Sequence, residues 1–196
     1  MEKINFIKTF IPQGDFREKY EHGGMMVRHL AAVLDEKMGA YECYECTVPI
    51  GEYDEGEIQK AFVEFSAKMD ALKLKQAKAD KISEITAYDT SDKVNGFILN
   101  GLLVWLDKAT RVGLMNSTTI AKAAGQKTTT LWLGGIKLVV DCDKAIQLLS
   151  ALEMYALECF NVTASHKQAV SELMSLEDVE VYDYKAGYPK MLEMSV

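Results

Sequence analysis

Basic excess, long apolar runs and catalytic signatures are what this 196-residue sequence lacks. Its formal net charge is −7 at pH 7, and because a phosphate backbone is held by a basic surface, nucleic acid drops out as a partner. No run of about eighteen apolar residues occurs, so no segment is expected to span a membrane. Met1-Glu2-Lys3-Ile4-Asn5 shows no basic segment followed by an apolar core. The expectation is therefore no signal peptide and synthesis in the cytoplasm. Cysteines stand only at 43, 46, 142 and 159, too few to scaffold a chain of this length and compatible with a reducing compartment. No glycine-rich loop of the phosphate-cradling kinds occurs either. What remains is 48% hydrophobic and 26% charged, the composition of a globular protein and far from the disordered class.

The clearest local signals lie between Asn95 and Val140. Phe97 to Leu99 and Leu102 to Leu106 flank Asn100-Gly101, and Thr129 to Leu133 and Ile136 to Val140 flank Gly134-Gly135. Both dipeptides tolerate the positive φ angles of a two-residue hairpin turn. Between the hairpins Asp107 caps a helix that reaches Ala124 and stops at Gly125. Each hairpin carries one tryptophan, Trp105 and Trp132, expected to pack in one small core. Asp141 or Asp143 then caps a helix from Lys144 to Phe160 whose apolar residues cover nearly its whole circumference, the mark of burial. Asn161 is expected to end it, with Thr163 capping the next helix and Ser175 with Asp178 opening a short last one. Tyr182-Asp183-Tyr184 and Gly187-Tyr188-Pro189 read as an aromatic turn sealing the domain's edge.

Upstream the pattern is weaker. Ile4, Phe6, Phe10 and Ile11 could edge a sheet, with Pro12, Gly14 and Gly23-Gly24 as loop. Met26 to Leu34 fits a helical face or an alternating strand, and the polar turn Asp35 to Gly39 before the alternating Tyr41 to Val48 favours a hairpin. Asp54 with Glu57 forms a capping box that opens a long helix. Ile58, Phe62, Phe65, Met69, Leu72, Gln76 and Ala79 follow, alternately four and three apart, as an a/d seam. The seam must rest on the N-terminal hairpin, on the C-terminal domain or on a second copy, and packing within its own fold is the commoner outcome. The chain is thus expected to be α+β: an N-terminal β-hairpin region (1–53), a long connecting helix (54–87), and a C-terminal domain (88–196) of two short hairpins with three to four helices.

Candidate chemistry is sparse. Cys43-x-x-Cys46 has the spacing of a zinc or redox pair. It lacks further ligands, however, and lies on a strand, where positions three apart face opposite sides, so a structural origin is favoured. His22, His29 and His166 remain; His166 with Cys159 is an imaginable pair, but a surface histidine is the cheaper reading. Asp107 and Arg111 read as an intrahelical ion pair. The acid-rich run from Glu42 to Glu57 lacks a calcium-loop pattern and reads as a solvated face. No catalytic residue, cofactor or metal site is expected, and the chain reads as a non-enzyme.

Lys81-Ile82-Ser83-Glu84-Ile85, Ala87-Tyr88-Asp89-Thr90-Ser91, Asn95-Gly96-Phe97, Trp105 to Arg111, Thr130-Leu131-Trp132, Cys159 to Thr163 and the closing aromatic turn carry a resemblance. From about Lys75 to Pro189 the chain resembles a family of uncharacterised phage and prophage proteins found especially in gut Bacteroides genomes. Its hairpin–helix–hairpin–helix order is similar to the C-terminal domain of tail-fibre assembly chaperones. The resemblance implies a tail accessory component or a chaperone for fibre proteins, acting in the host bacterial cytoplasm during assembly and carried, in the structural case, into the virion. Partners would be a tail or fibre protein or a copy of the chain, with Ile58, Phe62, Phe65, Met69 and Leu72 as the contact surface. An inhibitor of a bacterial defence system, or a metal or thiol protein built on Cys43 and Cys46, are the alternatives.

Overall fold

The computed structural model describes residues 4–11, 16–19 and 23–196. The expected loop at Pro12 and Gly14, and His22, lie outside them. The chain is α+β, and it divides into two compact units, Met1–Lys73 and Leu74–Val196.

In the first unit β1 (Ile7–Ile11), β2 (Phe16–Lys19), β3 (Gly24–Asp35) and β4 (Ala40–Pro49) form an antiparallel sheet in the order β1-β4-β3-β2. The stretch that could have been helix, Met26 to Leu34, is strand. Asp35 decides the hairpin: its Oδ1 accepts the amides of Lys37 and Met38 at 2.9 and 3.0 Å, and Gly39 supplies a φ of 63°. Alternation then turns Tyr44, Cys46 and Val48 to one face with Val27 and Phe6, while Arg28 bonds Glu45 across the register at 3.0 Å.

That inner face is covered by α1 (Glu55–Asp89). Its start is the expected capping box, Glu57 N–H to Asp54 Oδ1 at 2.8 Å and Asp54 N–H to Glu57 Oε2 at 2.9 Å. Ile58 is fully buried in the sheet's core, and Phe62, Phe65 and Met69 pack against it. Phe62 stacks on His29 with centroids 3.9 Å apart, and Phe65 meets Tyr44 edge-on at 5.1 Å. A buried carboxylate adds to this. Glu42 on β4 is held by Lys8 Nζ at 2.8 Å and Lys73 Nζ at 2.9 Å. Burial works to raise its pKa, but the two ammonium groups outweigh it and hold the carboxyl below the usual range.

The division between the units falls inside α1, not at its ends as the 54–87 and 88–196 boundaries have it. The cause is what each part of the helix touches. Up to Lys73 its apolar side is taken by the sheet; further on, Lys78 Nζ bonds Ser171 O at 2.9 Å, Lys81 Nζ bonds Glu180 O at 3.2 Å, and Ile85 is fully buried.

The second unit continues with α2 (Asp92–Asn95), β5 (Phe97–Leu99), β6 (Leu102–Val104), α3 (Lys108–Ala123), β7 (Thr128–Leu133), β8 (Ile136–Asp141), α4 (Cys142–Glu172), α5 (Leu176–Val181) and β9 (Leu192–Met194). Both hairpins form at the expected turns, with φ of 50° and 83° at Asn100-Gly101 and 57° and 87° at Gly134-Gly135. β9 adds in parallel to β5, giving the order β6-β5-β9, and β7 pairs with β8 in a two-stranded sheet. Phe97, Leu99, Leu131 and Leu133 from these strands meet Leu148, Leu149, Leu152 and Tyr155 of α4 in one core. Gly96 is obligatory for the approach: a Cβ there would stand 2.0 Å from Asp92 O.

Three expectations for this unit are corrected. α4 does not stop at Asn161 but runs on to Glu172. An interior Asn costs a helix under about 1 kcal/mol, and the Thr163 hydroxyl, instead of capping, donates to Asp89 Oδ1 at 2.8 Å and lies 2.9 Å from the Tyr188 hydroxyl. The tryptophans do not share a core. Trp132 is 58% exposed opposite Lys137, because the strand's alternation gives the inner places to Leu131 and Leu133, and Trp105 lies at the surface past β6. Third, α4 is not buried all round: Met154, Leu157 and Phe160 are exposed. The aromatic turn packs as expected, with Tyr88 edge-on to Tyr184 and Tyr188.

Two outcomes follow for stability. Thr118 on α3 is fully buried and its hydroxyl finds no hydrogen-bond partner among the described residues. Thr118→Val, nearly the same shape, is expected to raise stability by about 1 kcal/mol, read as a higher urea midpoint. Glu42 has its folded pKa depressed, so its contribution is present above the ordinary carboxylate pKa and lost as pH falls through the folded value. Lys73, raised first of all by its hydrogen bond to Glu42, loses its share only as pH climbs through its folded value, above the ordinary lysine range. Urea midpoints across pH should show a smaller acid loss in Glu42→Gln than in the wild type.

Candidate functional site

The link from β6 to α3 carries Trp105, Leu106 and Asp107. Asp107 is the N-cap of α3, accepting the Thr110 amide at 2.8 Å and the Thr110 hydroxyl at 2.7 Å. That hydroxyl bond is the main reason its carboxyl sits below the usual range. With both oxygens committed, Asp107 makes no intrahelical pair with Arg111, which corrects that reading. Arg111 turns inward instead. Only 7% exposed, it donates from Nε to Glu153 Oε1 of α4 at 2.8 Å and from Nη1 to Leu106 O at 2.7 Å.

Above this ion pair lies a cleft of about 400 Å³. It is lined by Trp105 and the start of α3, by Ala156, Leu157 and Phe160 of α4, and by Asp89, Thr90 and Asn95. Trp105 is 39% exposed, Leu157 49% and Phe160 59%, with Met154 exposed on the same helix. Asn95 Nδ2 bonds Asp89 O and so joins α2 to the last residue of α1. The cleft thus sets aromatic and aliphatic walls over one paired guanidinium, an arrangement suited to holding an apolar group. It contains no nucleophile beside a base.

The other candidates fall elsewhere. Ile58, Phe62, Phe65 and Met69 are engaged inside the first unit, and of the five seam residues only Leu72 is half-exposed. Cys43 and Cys46 are buried thiols; burial, helped by the Glu45 charge, pushes the Cys46 thiol up to about 11, so it is a poor nucleophile near neutrality. The acid run is not merely a solvated face: Glu42, Glu45 and Glu57 are tied to Lys8 and Lys73, to Arg28 and to the α1 cap. Nor is His166 a loose surface residue. Its Nε2 donates to Ala186 O at 2.9 Å, so in the neutral ring Nδ1 accepts from the Tyr182 hydroxyl at 2.8 Å. Cys159 donates to Val94 O at 3.1 Å, and the two do not address each other. Among the described residues no cluster of three or more His, Cys, Asp or Glu could hold a metal ion, and no helix is long and apolar enough to cross a membrane.

Residues 76–186 match the model of the Domain of unknown function (DUF4376). The match spans more than half of the chain and takes in every residue that lines the cleft, and the chain belongs to this family. No curated protein and no solved structure matches it.

The sequence missed the cleft because Arg111 and Glu153 stand 42 positions apart. The one signal available was the excess of apolar residues round α4, which no two-layer domain covers completely. Since Phe65 packs inside the first unit, Phe65→Asp should destabilise that unit by about 3–5 kcal/mol. Both tryptophans lie in the second unit, so far-ultraviolet dichroism should lose strand signal at lower urea than tryptophan emission changes.

Proposed function

We propose that the protein works by contact with another polypeptide, as a phage tail accessory or tail-fibre assembly protein. It meets its partner in the host bacterial cytoplasm during assembly. The observation that carries this reading is the exposed apolar wall of Trp105, Leu157 and Phe160, with Met154 beside it, inside the family-matched unit. Contiguous exposed apolar surface marks interaction sites, and aromatic anchors in a pocket carry much of the energy at such sites. The resemblance to phage tail proteins supplies the partner's class. The buried, weakly acidic Cys46 thiol makes the thiol alternative the poorer one.

The experiment is co-expression with the tail-fibre protein from the same phage or prophage. The fibre protein should be recovered soluble and in complex, and the exposed-site variant Leu157→Glu/Phe160→Glu should reduce recovery about tenfold or more, since each 1.4 kcal/mol is a factor of ten and a buried Leu or Phe contributes about 1.5–3 kcal/mol. Fibre protein equally soluble without the chain, and never bound to it, overturns the tail reading.

A further inference from the structure

We propose that the cleft takes an apolar, acid-poor peptide segment of a partner protein, its side chains lying on Trp105, Leu157 and Phe160 and one backbone carbonyl accepting from Arg111 Nη2. The proposal rests on the contact function above and names what the surface holds.

Arg111 is the pointer. A guanidinium has five N–H donors, and this one is more than nine-tenths buried with only Nε and Nη1 committed. Nη2 makes no hydrogen bond among the described residues, while Arg111 lines the cleft. Nη2 is not one of the buried atoms left without a partner, so solvent reaches it in the cleft, and a ligand acceptor takes the place of water there while its apolar side chains cover the walls.

Charge decides which acceptor. Glu153 at 2.8 Å already neutralises Arg111, which leaves Asp89 and Asp107 against Lys108 round the cleft. The balance is negative, so a carboxylate or phosphate is repelled and a neutral amide carbonyl is not. Polypeptide is the ligand class that offers apolar side chains and neutral carbonyls in regular alternation, and the same acids favour Lys or Arg beside the apolar anchors. A second copy of this chain fits poorly, because at a net charge of −7 it brings acids against acids.

The test uses the full chain carrying Trp132→Phe, which leaves Trp105 as its one tryptophan. It is titrated at low salt with the capped peptide Leu-Leu-Lys-Leu-Leu-Lys and with its twin in which Glu replaces Lys. The expected result is a saturable blue shift of Trp105 emission with the lysine peptide, about tenfold weaker with the acidic twin as charge opposition predicts. Phe160→Ser, an exposed substitution, should weaken the response, and so should Arg111→Lys, which keeps a cation for Glu153 but removes Nη2. No shift with either peptide, equal affinity for both, or a Phe160→Ser variant that binds like wild type overturns the proposal. So does a dimer by sedimentation whose formation alone shifts Trp105, since that assigns the face to a second copy. The two readings fail separately: fibre protein still held by the Phe160→Ser variant sinks this proposal and leaves the contact function. Peptide binding without fibre association sinks the tail reading and leaves this one.

Discussion

The C-terminal unit condenses on one face of α4, where Leu148, Leu149, Leu152, Tyr155 and Cys159 meet the inner leucines of the hairpins. The two polar members of that face, the Tyr155 hydroxyl and the Cys159 thiol, converge on the carbonyl of Val94 at 2.7 and 3.1 Å. A buried carbonyl has two lone pairs to satisfy, and here both donors come from the helix it must dock on. Two small sheets, α3 and the C-terminal part of α1 pack on α4 and still leave part of its circumference uncovered. Met154, Leu157 and Phe160 are the remainder. From that uncovered part comes the open cleft.

Two buried ion groups set how the pieces meet. Arg111 couples α3 to α4 through Glu153, and Glu42 couples β1 and α1 to β4 through Lys8 and Lys73. Desolvation removes most of the net gain from such pairs, while loss of one partner strands the other. They therefore fix which helix face goes down more than they add to stability. Arg111 is also what makes the cleft floor polar, so the surface is not simply a greasy one.

Legibility followed distance along the chain. Asp54 with Glu57, Asp107, Asn100-Gly101 and Gly134-Gly135 act on neighbours within a few residues, and each does in the structure what its local chemistry dictates. The end of α4 was misplaced because Asn161 and Thr163 have end-of-helix chemistry, and the partner that takes the Thr163 hydroxyl, Asp89, is 74 residues away. Trp105 and Trp132 are large and apolar, yet the end of β6 and the alternation of β7 leave them at the surface. The same blindness hid the site. Periodicity marks Ile58, Phe62, Phe65 and Met69 as apolar without saying that the first unit's own sheet covers them, and it cannot separate the leftover face of α4 from the buried one.

On the proposed contact function, the Trp105–Leu157–Phe160 wall is bare in the isolated chain and covered in the complex. Hydroxyl-radical footprinting addresses it directly, because Trp105, Met154 and Phe160 are oxidisable side chains in the open. In the isolated chain all three should label fast while buried Cys159 labels slowly, and in the complex with the partner protein the three should slow together. Slow labelling already in the isolated chain, or labelling unchanged in the complex, would mean that this wall is not the contact surface.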